Sequence, residues 1–341
     1  MRREALCLYA CPKCEGALRL EDPSPTPSQD GTVQEGRLHC AHCGSSFPII
    51  RSIPRFVSDD SYAASFGLQW KRFPTLQVDK AMQNDLSRHR FYATTRWPMH
   101  LEGERVLEAG CGAGRFTEIV LETGAEVFSF DLSSAVEVAG QNNLAAPRLH
   151  LFQASIYQIP LRKGTFDKIF CMGVLQHCPD VKTAFLSLVP YLRPGGEIVI
   201  DVYSKNGFLP PLKYWARPLV AWMKPESLLG LLRVSIPVAF DLKNSLNRIP
   251  GIGAKLARVV PIGPLSHAPR LNYTEEELKQ VKILSAFDML SPKHDHPQRI
   301  EDVEAWFKDA GLSETEIGYG YNGINARGRK PTTVGCVVGP A

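Results

Sequence analysis

Between residues 101 and 204 the apolar positions alternate between short continuous runs and helical spacing. The runs "RVLEAG", "AEVFSFDL", "LHLFQA", "FDKIFCMGVL" and "EIVIDVY" are typical of buried strands. Between the first two runs, Phe116, Ile119 and Val120 share one helical face, and Gly124 marks the end of that helix. Strands that alternate with helices predict an α/β fold with a parallel sheet that helices cover on both faces.

A second helix is predicted over "DVKTAFLSLVPYLRPGG", where six apolar residues recur at helical spacing before Pro194-Gly195-Gly196 ends the pattern. The six are Val181, Ala184, Phe185, Leu188, Val189 and Leu192. A further helix is predicted over "RIEDVEAWFKDAGL", and "SETEIGYGYNGINARGRK" predicts an antiparallel pair of strands. The α/β pattern therefore resumes near residue 299 after a long interruption.

The interruption, residues 205–298, contains several prolines, which predict short helical pieces. Between Phe208 and Gly263 there are eight lysines or arginines and two acidic residues. We expect a helical cap over the C-terminal edge of the sheet. Three interpretations of its basic, apolar composition stay open: a second hydrophobic core with a solvated basic face, a lid over a greasy acceptor site, and a patch for peripheral contact with an anionic membrane.

Two Cys-x-x-Cys pairs lie in the first 57 residues, formed by Cys11 with Cys14 and by Cys40 with Cys43. Four thiolates complete a tetrahedral zinc shell and leave no open position, so we predict a structural Zn²⁺ ribbon. A redox role is disfavoured because neither pair lies at a strand-to-helix junction. A module this small, with little apolar core, would need its metal to fold.

The composition is that of a globular protein. We expect more than one structural unit, since 341 residues exceed the size that a single hydrophobic core usually supports. The net charge of +4 permits a nucleic-acid or anionic partner without arguing for one. No apolar run reaches the about 18 residues of a membrane span, and we expect a cytoplasmic protein. The predicted units are a ribbon (1–57), a helical connector (58–100), a core (101–204), a helical cap (205–298) and a C-terminal completion of the core (299–341).

A glycine-rich loop, "VLEAGCGAGRF", follows the first predicted strand of the core and precedes a helix. Its Gly110, Gly112 and Gly114 allow a ligand to approach the backbone closely. The dinucleotide fingerprint G-x-G-x-x-G would require a small residue at Arg115, which weakens a nicotinamide interpretation. Asp131 ends the next strand, 17 residues past Gly114, and a carboxylate there suits paired ribose hydroxyls.

Four segments, "VLEAGCGAGRFTEIV", "VFSFDLSSA", "FDKIFCMGVLQHCPD" and "LRPGGEIVIDVY", resemble in order the motifs of class I S-adenosylmethionine-dependent methyltransferases. The resemblance covers about 101–204 and 299–330, and it is to the subgroup that includes ubiquinone-type and many small-molecule methyltransferases. It implies a Rossmann-like sheet and S-adenosyl-L-methionine as cofactor. The glycine loop would surround the methionine part, with Glu108 just beneath, and Asp131 would hold the ribose.

The chain departs from the family pattern in "QASIYQIPL". The family often has an acid at the position of Ser155, and that acid usually bonds the adenine amino group. Ser155 is able to accept one such hydrogen bond, and the backbone of Ile156 is able to contact the adenine ring.

Three histidines are candidates for catalysis of the methyl transfer. His177 in "LQHCPD" matches the family's position at the end of the fourth strand, beside the methyl end of the cofactor, either as a base or as a packing residue. His294 and His296 lie in "FDMLSPKHDHPQ" together with Asp288, and suit substrate binding or base catalysis unless this loop is only a solvated one.

These features predict a methyltransferase that acts on a small-molecule or glycan-type acceptor, most simply at oxygen. A zinc ribbon before such a domain also resembles the arrangement in ribosomal-RNA guanine methyltransferases, and it resembles the small subunits that activate transfer-RNA methyltransferases. RNA methylation is thus an alternative, although the ribbon has no concentrated basic run. A non-catalytic scaffold that binds the cofactor is a third possibility.

Overall fold

The computed structural model describes residues 1–21, 31–58, 62–143, 146–205, 217–220, 222–260 and 273–332. Parts of the predicted cap and of the predicted C-terminal segment lie outside these ranges.

The N-terminal unit is an antiparallel sheet of four short strands in the order β1-β2-β3-β4. They are β1 (Leu18–Glu21), β2 (Gly36–Cys40), β3 (Ser46–Ile50) and β4 (Ile53–Pro54). Buried and more accessible residues alternate along β2 and β3, as expected of strands with one face against a core. Cys40 ends β2, so the second cysteine pair lies in the turn that leads to β3.

Three helices connect this unit to the main sheet. They are α1 (Ala64–Arg72), α2 (Asp79–Met82) and α3 (Leu86–Thr95). The buried Asp79 carboxylate accepts the main-chain N–H groups of Ser87 and Arg88, at 2.9 and 2.8 Å. It thereby satisfies N–H groups in the first turn of α3, which have no partner within the helix.

The main sheet has seven strands in the order β10-β11-β9-β8-β5-β6-β7, of which β5 to β9 are parallel and β10 and β11 antiparallel. This confirms the predicted Rossmann-like α/β class. The strands of this sheet are β5 (Arg105–Ala109), β6 (Glu126–Asp131), β7 (Leu149–Gln153), β8 (Phe166–Met172), β9 (Leu192–Val202), β10 (Ser313–Gly320) and β11 (Gly323–Arg329). The helices between these strands in the chain are α4 (Thr117–Glu122), α5 (Ala135–Asn142), α6 (Val181–Leu188), α7 (Pro225–Asn247), α8 (Gly253–Ala257), α9 (Glu275–Leu290) and α10 (Ile300–Asp309), of which α7 to α9 belong to the cap.

The helix predicted to run as far as Pro194 is shorter than its pattern suggested. Helix α6 ends at Leu188, a single 3₁₀ turn follows, and β9 begins at Leu192. Leu192 pairs in register with Phe166 of β8 and is fully buried. Apolar residues at helical spacing continued past the end of the helix because the first residue of the next strand is also buried.

The cap contains one long helix where the prolines predicted only short pieces, so that prediction was wrong. Helix α7 has 23 residues with Pro237 inside it. Proline in a helix interior costs about 3 kcal/mol, and packing opposes this cost because Leu228, Leu229 and Leu232 are buried against α9. Within the described ranges, none of the helices combines the length and hydropathy that crossing a bilayer requires.

The N-terminal unit packs directly on β7, at the edge of the main sheet. The N–H of Phe56 donates to the carbonyl of Gln153 at 2.8 Å, and Tyr9 packs edge-on against Phe152 with ring centroids 5.8 Å apart. Buried residues of the ribbon and of the main sheet form one continuous cluster. The ribbon therefore shares its core with the main sheet and does not form a separate one. That the ribbon needs its metal to fold stays a prediction. The domain boundaries themselves stay predictions.

Candidate functional site

A cavity of about 310 Å³ opens where the parallel strands β5, β6, β8 and β9 end. Helix α1 of the connector and helix α9 of the cap contribute the opposite wall, through Phe66, Trp70 and Leu284 among others. Ligands bind beyond the carboxyl ends of the strands in open α/β sheets. The cavity is therefore the candidate active site.

The glycine loop follows β5 in a conformation that suits glycine at three positions. Gly110, Gly112 and Gly114 have φ values of +82°, +53° and +83°. A Cβ on Gly110 would overlap the side chain of Val174, and one on Gly112 would lie 2.9 Å from Nε1 of Trp70. Only glycine fits these three positions without strain. Because the loop carries no side chains there, a ligand is able to approach its backbone closely.

Asp131 lies at the end of β6 with its carboxylate held on both sides. Oδ2 accepts the N–H of Gly112 at 3.0 Å, and Oδ1 accepts the N–H and hydroxyl of Ser133 at 2.8 and 2.7 Å. Burial raises the pKa of this carboxyl, while these hydrogen bonds favour the charged form. The carboxylate lines the cavity and retains lone pairs for hydroxyl donors, as a ribose diol would offer.

Glu108 lies beneath the glycine loop and does not line the cavity. Its Oε2 accepts hydroxyl hydrogen bonds from Thr117 and Ser129, each at 2.5 Å. Burial raises the pKa of Glu108 to about 7. Its place below the loop indicates that it supports the backbone cradle from inside the fold.

The two residues predicted to serve an adenine ring lie differently. Ile156 lines the cavity, whereas Ser155 does not. The hydroxyl of Ser155 accepts the N–H of Tyr157 at 3.2 Å, which closes its own turn. The structure thus brings Ile156 to the cavity and leaves the hydroxyl of Ser155 engaged locally.

His177 is a buried part of the cavity wall. Its Nδ1 lies 3.1 Å from the carbonyl oxygen of His294. A carbonyl only accepts hydrogen bonds, so we assign the proton to Nδ1, which leaves a lone pair on Nε2 of the neutral ring. The rings of Phe66 and Tyr203 pack against the imidazole, with centroids 5.0 and 5.6 Å away. This fixes the orientation of the ring.

His294 and His296 do not line the cavity. Their rings contact each other with centroids 5.6 Å apart, and the main-chain N–H of His296 donates to the carbonyl of Gln176 at 2.8 Å. The structure therefore brings all three histidines together, but only His177 reaches the cavity. The other two belong to the segment that holds it.

Two arginines in the cavity wall were not predicted from the sequence. Nη2 of Arg90, in α3, lies 2.5 Å from the fully buried Asp201 at the end of β9. Arg115, directly after the glycine loop, bonds Gln77 at 2.6 Å and Ser87 at 3.2 Å. The only sequence signal was that Arg115 stands where a dinucleotide site would have a small residue.

Arg115 places a positive charge in the cavity wall. Its hydrogen-bond partners are an amide oxygen and a hydroxyl, and no carboxylate among the described residues forms an ion pair with it. Burial, and then the nearby charge of Arg90, lower the pKa of Arg115 to about 10, so it remains protonated near neutral pH. A partly buried cation with no carboxylate in direct contact favours an anionic group in the ligand.

Cap and connector meet at Asp288, another polar group of the wall. Gln69 of α1 donates to its Oδ1 at 3.0 Å, and the Tyr203 hydroxyl donates to its Oδ2 at 3.3 Å. The carboxylate joins α9 to α1 and to the end of β9. It also presents acceptor oxygens to the cavity.

The four cysteines of the ribbon converge. Their Sγ atoms lie within 4.8 Å of one another, with 3.6 Å between Cys11 and Cys43 and 3.5 Å between Cys14 and Cys40. Zinc–sulfur bonds of ~2.3 Å in a tetrahedron place sulfurs ~3.8 Å apart, so this donor set fits a zinc ion. None of the four lines the cavity. A metal here would therefore act on structure.

Comparison with known proteins gives a family match and several sequence relatives. Residues 107–200 match the family model described as a methyltransferase domain. A ubiquinone biosynthesis O-methyltransferase of Aromatoleum aromaticum is 33% identical over 116 residues, 31% of this chain and 47% of that protein. A malonyl-[acyl-carrier protein] O-methyltransferase of Enterobacter lignolyticus is 31% identical over 166 residues, 44% of this chain and 64% of that protein. The chain thus spans less than two thirds of these relatives.

Solved structures also align with the chain at low identity. Human N-acetylserotonin methyltransferase in complex with its cofactor aligns over 81% of this chain and 61% of that chain, at 13% identity and a TM-score of 0.46. A possible histamine N-methyltransferase of Thermotoga maritima aligns over 79% and 98%, at 13% identity and a TM-score of 0.44.

The sheet order, the glycine cradle and the acid after the second parallel strand define a Rossmann-like cofactor-binding fold. Together with the family match over residues 107–200, they identify this part of the chain as a methyltransferase domain.

Proposed function

We propose that the protein methylates a hydroxyl oxygen of a small-molecule or glycan-type acceptor. The observation that carries this proposal is His177, whose bonded Nδ1 leaves Nε2 as a proton acceptor in the cavity wall. Both relatives described above are named O-methyltransferases, which supports oxygen as the methylated atom. A cavity of about 310 Å³ also lies within the range of small-ligand sites.

The residues that would hold S-adenosylmethionine are those of the cradle. The backbone of the glycine loop would receive the methionine part, Asp131 would accept the ribose hydroxyls, and Ile156 would contact the adenine. Arg115 would pair with the carboxylate of the methionine part. It lies next to the glycine loop, and no carboxylate among the described residues forms an ion pair with it. When bound, the cofactor supplies a methyl group on a positively charged sulfur.

The residues around the acceptor would supply alignment and a base. The hydroxyl proton would pass to Nε2 of His177, whose ring is already fixed by His294, Phe66 and Tyr203. Asp288 offers oxygens that accept further hydroxyls of the acceptor, which suits a polyhydroxylated molecule. Cap and connector would exclude water from the reacting atoms.

For the four cysteines we propose a structural Zn²⁺. The converging thiols support this, and their place outside the cavity separates the metal from the methyl transfer. The ion would join the turn that precedes β1 to the turn that follows β2, and through Tyr9 and Phe56 it would stabilise the edge of the main sheet at β7.

A labelling experiment tests the acceptor class. The full chain is incubated with methyl-labelled S-adenosylmethionine and a cell extract, and RNA, lipid, glycan and small-molecule fractions are then separated. We expect label in the glycan or small-molecule fraction, and much slower labelling of that fraction with His177→Ala. Label confined to RNA would contradict the proposal, and a folded, zinc-loaded chain that fails to bind the cofactor in calorimetry would favour a scaffold.

A further inference from the structure

The outer face of the cap carries an unusual concentration of exposed apolar side chains. In the described part of the chain, ten of the thirteen large apolar side chains that are exposed lie between residues 219 and 259. Trp222 and Val259 are 80% and 81% exposed. Monomeric proteins rarely leave a contiguous apolar surface of this kind in water unless it binds something.

Helix α7 has two apolar faces, and only one is used inside the protein. Leu228, Leu229 and Leu232 are buried against Ile283 and Phe287 of α9. A second stripe recurs every three or four residues, which places it on one side of the helix, and its members are 50–69% exposed. The stripe consists of Leu231, Val234, Val238 and Leu242. The short helix α8 packs against α7 and extends the apolar surface with Ile252, Leu256 and Val259.

The charge around this surface is positive. Residues 222–260 contain six lysines or arginines and two acids. Five of the cations are exposed: Lys224, Arg233, Arg248, Lys255 and Arg258. One of the acids, Asp241, forms an ion pair with Lys279 of α9 at 2.7 Å, so its charge is offset. Exposed leucine, valine and tryptophan beside exposed cations are the composition of helices that lie in the plane of an anionic bilayer.

We propose that the exposed face of α7 and α8, the cap face, docks on an anionic lipid surface. An anionic bilayer offers both acyl chains for the apolar stripe and phosphate groups for the cations. A second copy of the chain is disfavoured because a two-fold interface would bring the same basic surface against itself. The cap face lies one helix away from the cavity, since α7 packs on α9 and Leu284 of α9 lines the cavity.

Vesicle flotation tests the proposal with the full, zinc-loaded chain. We expect binding to vesicles of phosphatidylcholine mixed with phosphatidylglycerol, and binding at least about tenfold weaker to phosphatidylcholine alone or at raised salt. The variant Val238→Asp/Leu242→Asp should bind the anionic vesicles at least about tenfold more weakly. The matched control Met99→Asp/Tyr319→Asp changes two side chains that are 63% and 64% exposed elsewhere, and should bind like the native chain.

Circular dichroism and calorimetry with S-adenosylmethionine verify that each variant is folded. If the aspartate pair disrupts the cap, Arg233→Glu/Arg258→Glu replaces it, with the same expected loss. Native-like binding of a folded variant, or no binding of the native chain to anionic vesicles, overturns the proposal. Sedimentation velocity without lipid supplies the other outcome: a native dimer that Val238→Asp/Leu242→Asp converts to monomer would show that this face is a self-interface, and would also overturn it.

Discussion

The Nδ1 atom of His177 lies 3.1 Å from the main-chain carbonyl oxygen of His294, a residue 117 positions later in the chain. This contact joins the end of the parallel sheet to the segment that follows α9, at the end of the predicted cap. The carbonyl selects one tautomer of His177 and leaves Nε2 free to accept a proton. A backbone group therefore positions the proposed base, whatever side chain residue 294 carries.

His177→Ala should reduce kcat by about a hundredfold or more, the usual range for loss of general-base catalysis. The Kd for S-adenosylmethionine should change little, because the proposed role of the imidazole is to accept the proton of the acceptor. His296→Ala is the matched control and should retain most of the activity, since His296 does not line the cavity. Steady-state kinetics with calorimetry measure both effects. Equal losses in the two variants would contradict the assignment of His177.

Arg115→Gln should weaken binding of S-adenosylmethionine by about tenfold, because a charge-assisted bond to a carboxylate contributes roughly 1.5–3 kcal/mol. Calorimetry should show the same loss for S-adenosylhomocysteine, which keeps the carboxylate. The control Arg96→Gln removes an exposed arginine that pairs with Glu316 outside the cavity. If Arg115→Gln left cofactor affinity intact and raised only the KM of the acceptor, the arginine would instead bind the acceptor.

Cys11→Ser should remove the bound zinc and lower the melting temperature of the whole chain, because the ribbon shares a core with the main sheet. Cys7→Ser is the matched control, since Cys7 is an exposed cysteine outside the four-thiol cluster. Metal analysis by mass spectrometry and thermal unfolding provide the two readouts. Native zinc content in Cys11→Ser, or unchanged stability after chelation of the metal, would refute a structural zinc site.

Glu108 should make the stability of the fold depend on pH. Burial raises its pKa to about 7, whereas an unfolded glutamate has a pKa of about 4.3. Between these values the folded state holds a proton that the unfolded state has lost. The contribution of Glu108 is therefore fully present below about pH 4.3, and up to about 3 kcal/mol of it is lost as pH rises to 7.

Urea unfolding of the native chain and of Glu108→Gln at several pH values between 5 and 8 measures this effect. Glutamine stays neutral, so the free energy of unfolding of the native chain relative to the variant should fall as pH rises. Glu316→Gln, an exposed control, should leave the pH profile unchanged. A difference between native chain and Glu108→Gln that is constant over this range would show that Glu108 is charged in the fold.

Much of the cofactor half of the site was readable from the sequence because it is local. Gly110 to Gly114 and Asp131 lie at the ends of consecutive strands, and the periodic pattern places strand ends without long-range information. The same holds for the cysteine pairs, whose spacing alone predicts a convergent set of thiols. Helix boundaries were less accurate, since burial continues across the junction between α6 and β9.

The part of the cavity wall that the connector supplies could not be read in this way. Phe66, Trp70 and Arg90 come from a connector whose mixed pattern gave no sign of a cavity, yet α1 and α3 bring them over the strand ends. The length of α7 was also mispredicted, because proline propensity is local while the packing of Leu228 and Leu232 on α9 is not.

The sequence by itself determined the class of fold, the cofactor cradle and the four-thiol cluster. Each depends on residue types at short, fixed spacing, and the backbone geometry of strands, turns and helices converts that spacing directly into position. Only the tertiary structure decided which histidine reaches the cavity, which arginine is left without an acid, and which face of α7 stays exposed. Those properties depend on contacts between segments that are distant in the sequence, such as His177 with His294 and Arg90 with Asp201, which are each more than a hundred residues apart. Packing selects these contacts, and no local pattern encodes them.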